Sequence, residues 1–359
     1  MQLPSDFNTL LPMFELQQLI RPNILRLKPY TTARHDFAGQ ASVFLDANEN
    51  SIGSAIKPAI NRYPDPLQKE LKQKIATLKG VEAHQIFIGN GSDEPIDLLF
   101  RIFCEPGVHQ AIICSPTYGM YGVSAAIHNT PIIDVPLLPD FSWDIQALLR
   151  TMQPNTRLLF ICSPNNPTGN SIPREDLKTL LENFPGIVCV DEAYIDFSVK
   201  SSALNWLEVY PNLVVIQTFS KAWGAAAARI GLAFASSTLI HFMNHVKAPY
   251  NISAPIQQIG LELIERQDFM QSSVQKIIAE RERLAGELRH LSVVEKVFPS
   301  DANFLLVRFT DAKEIYHKLL GKGIVVRDRS NLIHCAQCLR ITIGTPSENN
   351  QLLTALSEL

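Results

Sequence analysis

The chain predicts an α/β fold, with a large domain on a mostly parallel sheet and a smaller α+β domain after it. Three observations carry this. From about residue 85 onward short apolar runs alternate with helical patterns, the mark of successive βα units. The runs are continuously apolar rather than alternating, which suits strands buried on both faces of a sheet. After the Pro-containing stretch 247–255 the pattern changes to long, charged helices followed by short strands.

Taken in order, strands are expected over 85–88, 111–114, 131–135, 157–162, 187–190 and 213–217, and helices over 94–103, 118–127, 144–152 and 173–183. Residues 256–291 read as helical with one wet face. Strands over 293–297, 304–309, 323–327 and 338–343 then alternate with helices over 312–320 and 348–356. The domain division is an arm over 1–45, a large domain over 46–250 and a small domain over 251–359. The first dozen residues match nothing around them, and Met13 reads as an alternative start. In such a sheet, ligands belong beyond the carboxyl ends of the strands.

Composition narrows the function. The 359 residues are 46% hydrophobic and 19% charged, with a net charge of -3, which is a globular composition with no basic stripe for nucleic acid. Asp6 and Glu15 interrupt the N-terminus, and Arg229 and His241 break the apolar stretch 222–243. Neither a signal peptide nor a membrane span is expected, so the chain is expected in the cytoplasm. Cys335 and Cys338 form a C-x-x-C without the second pair that a zinc site wants. No metal is expected, and all six cysteines read as free thiols.

The chemistry concentrates at strand ends. Lys221, in Thr218-Phe219-Ser220-Lys221, stands just past an apolar strand, with Arg229 two helical turns on. Desolvation and a nearby cation lower an amine's pKa and make it a nucleophile. The loop Gly89-Asn90-Gly91-Ser92-Asp93-Glu94 follows a strand and opens a helix, which suits a phosphate at backbone amides, although an ordinary capped turn would look the same. Asn166, in Ser163-Pro164-Asn165-Asn166-Pro167-Thr168-Gly169, can donate to a phenolate oxygen or to a substrate carboxylate. Asp191 ends the apolar strand 187–190, where a buried carboxylate needs a partner; a protonated pyridine nitrogen would serve. Tyr194 follows one helical turn later, and Tyr118 follows another strand where it can stack on an aromatic ring.

This set resembles the fold-type-I pyridoxal-phosphate enzymes of the aspartate aminotransferase superfamily. Arg21-Pro22-Asn23-Ile24, Leu27-Lys28-Pro29-Tyr30, Asn48-Glu49-Asn50, Arg62-Tyr63-Pro64, Asp301-Ala302-Asn303-Phe304 and Leu339-Arg340-Ile341-Thr342-Ile343-Gly344 resemble the histidinol-phosphate aminotransferase family in particular. The resemblance implies a mostly parallel seven-stranded sheet and pyridoxal 5'-phosphate (PLP) as cofactor. Lys221 would form the Schiff base, Asp191 would pair with the ring nitrogen, Tyr194 and Asn166 would hold the ring oxygen, and Tyr118 would stack on the ring. Gly91, Ser92, Asp93, Thr218, Ser220 and Arg229 would hold the phosphate. Tyr63 would reach it from the neighbouring subunit of a homodimer, and the arm 1–45 would pack with the small domain and that partner. Arg340 would bind the substrate carboxylate; Arg327, Tyr30 and Asn48 are further substrate-binding candidates. The implied activity is reversible amino transfer between L-histidinol phosphate and 2-oxoglutarate. An aromatic-amino-acid aminotransferase or a threonine-phosphate decarboxylase-like lyase would share the cofactor residues.

Overall fold

The structure is a computed structural model and describes residues 14–30 and 42–359. The large domain holds seven strands: β1 (Ile86–Asn90), β2 (Gln110–Ile113), β3 (Ile132–Asp134), β4 (Thr156–Cys162), β5 (Ile187–Asp191), β6 (Leu213–Thr218) and β7 (Ile230–Phe234). Their order across the sheet is β1-β7-β6-β5-β4-β2-β3. β7 runs antiparallel to β1 and β6, and every other pair is parallel.

The continuous apolar runs are explained by the two faces they feed. Ile88, Leu159, Ile161, Val188, Val190, Leu213 and Val215 point into one core. The alternate residues Phe87, Leu158, Phe160, Ile187, Cys189, Val214 and Ile216 point into the other. A strand with a period of two and a core on each side has no polar face to show.

The stretch 222–243, which reads as one apolar run, divides into a turn after β6, the strand β7, and the helix Ser237–Val246. Ser236 caps that helix, its side chain accepting from the Leu239 N–H. β7 is therefore an addition to the six strands read from the pattern. It is hidden because small residues precede it and only the short Ala235-Ser236 link separates it from the apolar helix that follows.

Residues 256–291 form two helices, Ala254–Glu265 and Gln267–Leu288. The first packs on the large domain: a Cβ on Gly260 would lie 2.9 Å from a Leu71 methyl. The second joins the small-domain core through Leu284, Ala285 and Leu288. Met270 and Val274, earlier on the same helix, pack with the large-domain core, so the helix leads from that core into the small domain. Its sheet is antiparallel in the order β10-β11-β9-β8, with β8 (Val294–Val297), β9 (Phe304–Phe309), β10 (Arg327–Asp328) and β11 (Cys338–Thr342). The strand expected over 323–327 shrinks to β10. The Gly323 and Ile324 amides instead donate to the Leu320 and Leu319 carbonyls at the end of the helix Ala312–Gly321, a C-terminal cap that glycine at φ +76° permits.

Asp301 ties the domains together beside the site. Its N–H donates to the Gly169 carbonyl at 2.7 Å, and its carboxylate accepts from Ser171 Oγ at 2.7 Å. The described start of the arm, including Leu16, Leu19, Ile20 and Ile24, packs into the same core as the large-domain helix Asp93–Phe103. The expected contact of the arm with the small domain is not among these packing residues, and part of the arm (1–13 and 31–41, Met13 included) lies outside the described residues. Among the described residues no helix is long and apolar enough to cross a membrane.

Candidate active site

A cavity of about 460 Å³, counting its open mouth, lies at the carboxyl ends of β4, β5 and β6. It is lined by Ser92, Asp93, Tyr118, Asn166, Asp191, Tyr194, Thr218, Ser220, Lys221 and Arg229, all singled out from the sequence, and by Cys162 and Ala193.

Asp191 is the last residue of β5 and is only 2% exposed. Its Oδ1 accepts from the Ala193 N–H at 3.0 Å and its Oδ2 from the Tyr121 hydroxyl at 2.7 Å. Burial raises its pKa, against the lowering effect of these two donors. Asp191 does not cap a helix: the turn it closes is its own, two residues long, and β5 feeds it directly into the cavity.

Lys221 comes from the turn after β6 and has its Nζ 5.5 Å from the centre of the Tyr194 ring. Its side chain meets solvent through the cavity mouth. Burial of the amine nevertheless lowers its pKa, helped by Arg340 and Arg229 and opposed by Asp191 and Asp93. Asn166 Nδ2 donates to the Tyr194 hydroxyl at 3.4 Å, and the Asn166 Oδ1 accepts from Arg340 Nη1 at 2.5 Å. The loop after β4 thereby meets a small-domain arginine.

The opposite end is built around Arg229, whose backbone is left-handed at φ 55°. The Gly91 N–H donates to its carbonyl at 2.6 Å. Its guanidinium reaches Ser220 Oγ at 3.4 Å and the Asp93 carboxylate at 3.3 Å, and Asp93 also accepts from the Tyr118 hydroxyl at 3.0 Å. Gly91 has φ +71°, a left-handed backbone that favours glycine, and a Cβ there would press on the Arg229 guanidinium. Ser220 N–H donates to Thr218 Oγ1 at 3.0 Å. The first amides of the helix Asp93–Phe103, the Ser220 hydroxyl and Arg229 together make an anion cradle.

Other residues named from the sequence stand outside the lining. Tyr63 is half exposed, its N–H on Glu49 Oε1 and its ring stacked on Tyr250 with centres 4.4 Å apart. Tyr30 is 75% exposed, and Asn48 has a left-handed backbone at φ 53°; neither lines the cavity of its own chain. Arg327 and Arg340 face one another across β10 and β11. Sequence reasoning missed two groups. Tyr121 lies three residues after Tyr118 on the same helical pattern, and that spacing was the available signal. Arg329 lies two residues after Arg327. Its pKa is lowered by burial, then by Arg340 and Arg327. Its buried Nε, like that of Arg340, has no hydrogen-bond partner among the described residues.

A fold of this topology with a lysine, a buried carboxylate and an anion cradle at the strand ends suits a fold-type-I PLP-dependent enzyme. The family model "Aminotransferase class I and II" matches residues 35–356. Histidinol-phosphate aminotransferases of Parabacteroides distasonis and Cytophaga hutchinsonii are 50% and 49% identical to the chain, covering 97% and 96% of it and 99% of each relative. The chain belongs to the class I and II aminotransferases and, within them, to the histidinol-phosphate aminotransferase family. The solved histidinol-phosphate aminotransferase of Sinorhizobium meliloti, in complex with pyridoxal-5'-phosphate, superposes with a TM-score of 0.75 at 24% identity, over 87% of this chain and 89% of that one; it shares the fold.

Proposed function

We propose that the chain binds PLP at Lys221 and transfers an amino group reversibly between L-histidinol phosphate and 2-oxoglutarate, as a cytoplasmic homodimer with shared sites. The observation that carries this is one cavity with a partly desolvated amine, a buried carboxylate and an anion cradle, beneath arginines from the small domain.

The donor set fits the cofactor. Asp191 is buried with only neutral hydrogen-bond donors and no ion pair among the described residues, so a protonated ring nitrogen would complete it. The side-chain-free Gly91 and the amides of Ser92 and Asp93, with Thr218, Ser220 and Arg229, suit a phosphate dianion. When bound, PLP supplies an aldehyde with which amines condense and a ring that withdraws electrons from the neighbouring carbon.

The chain's own residues supply the rest. Lys221, its amine biased toward the neutral form, holds the cofactor and takes and returns the proton at the substrate Cα. Asp191 keeps the proton on the ring nitrogen. Tyr194 can donate its hydroxyl proton to the ring oxygen because Asn166 already donates to that hydroxyl. Tyr118 covers a ring face, its hydroxyl anchored on Asp93.

The substrates are a dicarboxylate and a phosphate ester, and guanidinium forks bind both. Arg340 takes the carboxylate. Arg329 and Arg327 add the charge that a phosphate needs, with Tyr30 and Asn48 contributing from outside the cavity. Tyr63 completes the partner's phosphate site; its half-exposed ring and its absence from its own cavity support that placement.

The test is a half-reaction screen. The holoenzyme is mixed separately with histidinol phosphate, phenylalanine and threonine phosphate, and the visible band of the cofactor is followed. Histidinol phosphate should bleach it fastest. No bleaching with histidinol phosphate, or carbon dioxide released from threonine phosphate, would overturn the substrate assignment.

A further inference from the structure

We infer that Tyr121 is a positioning residue for the reaction: its hydroxyl fixes Asp191 and holds it as a carboxylate, so that the proton shared with the cofactor stays on the ring nitrogen. This rests on the functional reading above.

The geometry is specific. Tyr121 is fully buried and its hydroxyl donates to Asp191 Oδ2 at 2.7 Å. The ring cannot swing away. It stacks on Phe160 with centres 4.8 Å apart, and Tyr118 meets it edge-on at 5.6 Å. One oxygen of Asp191 is committed to the Ala193 amide and the other to this hydroxyl, which sets the plane of the carboxylate against the cavity.

The surroundings make the donation consequential. A fully buried carboxylate tends to take up a proton. If Asp191 did so, the ring nitrogen would be neutral and a poorer electron sink. The groups around Asp191 divide in their effect. Asp93 and burial favour its protonation; Lys221, the Ala193 amide and above all the Tyr121 hydroxyl oppose it. The Cys162 and Cys189 thiols on β4 and β5 are held protonated by burial and bring no charge, and burial likewise keeps the Tyr118, Tyr121 and Tyr194 hydroxyls protonated. Tyr121 is therefore a donor throughout the working pH range and, among the chain's own groups, the largest influence keeping Asp191 ionised.

Tyr121→Phe keeps the ring and its stacking and removes only the donor. In the holoenzyme the pH midpoint of the cofactor's visible band should rise by about one unit, because a less cationic ring makes the lysine-linked nitrogen more basic. The single-turnover rate with histidinol phosphate should fall about tenfold, the lower end of the range for one hydrogen bond to a charged group, with little change in the steady-state KM. In an Asp191→Asn background the same substitution should change the rate less than about twofold, since residues acting through one another are not additive. Cofactor-free Tyr121→Phe should melt cooperatively, which separates the effect from misfolding. An unmoved band and rate in Tyr121→Phe, or an undiminished tenfold effect in the Asp191→Asn background, would overturn the inference. The parent holoenzyme is the control: if its borohydride-reduced adduct does not map to Lys221, it is the functional reading itself that fails.

Discussion

The two walls of the cavity are built on different terms. On the large-domain wall most polar groups are paired within the chain: Asp191 has Tyr121 and the Ala193 amide, Tyr194 has Asn166, and Arg229 has Ser220 and Asp93. On the small-domain wall Arg327, Arg329 and Arg340 stand close enough that Arg340 and Arg327 lower the pKa of Arg329, and among the described residues none of them forms an ion pair. Arg340 has one hydrogen bond, to Asn166. Clustered like charges raise the free energy of the folded chain unless an anion joins them. The first wall is set for a resident group with fixed hydrogen-bonding positions. The second is set for anions that come and go, and Arg340 links it to the first through Asn166.

That division predicts where substitutions strike. Lys221→Ala should abolish turnover, by at least about 10³-fold on the usual scale of a lost proton-transfer group, while the remaining wall still retains cofactor noncovalently. Single-turnover kinetics with histidinol phosphate measure the loss, and dialysis followed by absorbance measures retention. Full activity in this variant would remove Lys221 from the chemistry.

Arg340→Ala and Arg329→Ala come next. If the small-domain wall serves binding, each should raise KM and lower kcat/KM by about 10- to 150-fold, corresponding to one lost hydrogen bond to a charged group at roughly 1.5–3 kcal/mol, with kcat less affected. Steady-state kinetics with both substrates separate the two parameters. A fall in kcat at unchanged KM would mean that the second wall takes part in the chemical step, and the comparison would fail.

Much of the first wall can be read from the sequence, because its main groups lie close to where an apolar run stops. Asp191 directly follows its run, and Asn166 and Lys221 follow theirs within one short turn; these runs must be buried strands, and the sheet brings such ends together. The rest depends on contacts across the chain. Tyr121 looks like one more apolar residue of a helix; only the fold sets its hydroxyl on Asp191, 70 residues away. Arg329 sits in a short polar stretch beyond a two-residue strand, and its burial depends on how the hairpin to β11 closes. β7 is concealed within 222–243 because small residues run into it and the helix after it is itself apolar, so no separate run stands out there.

β7 also carries a residue whose packing makes the first wall rigid before any ligand arrives. Gly231 pairs with Gly89 on β1 and with Thr218 on β6. The peptide joining Gly91 to Ser92 lies directly on it: a Cβ at Gly231 would be 2.1 Å from the Gly91 carbonyl and 2.3 Å from the Ser92 nitrogen. These are backbone atoms in the anion cradle and cannot turn aside as a side chain could. A strand glycine of this kind marks the close approach of another backbone. Gly231→Ala should therefore cost about 1–3 kcal/mol, the range for one extra methyl forced into a packed site. It should lower the melting temperature of the cofactor-free protein by several degrees, and weaken cofactor affinity by displacing the Ser92 amide. Thermal denaturation and a cofactor titration measure the two effects. An unchanged melting temperature would show that the cradle yields easily, and would refute the claim that the first wall is rigid before its ligand arrives.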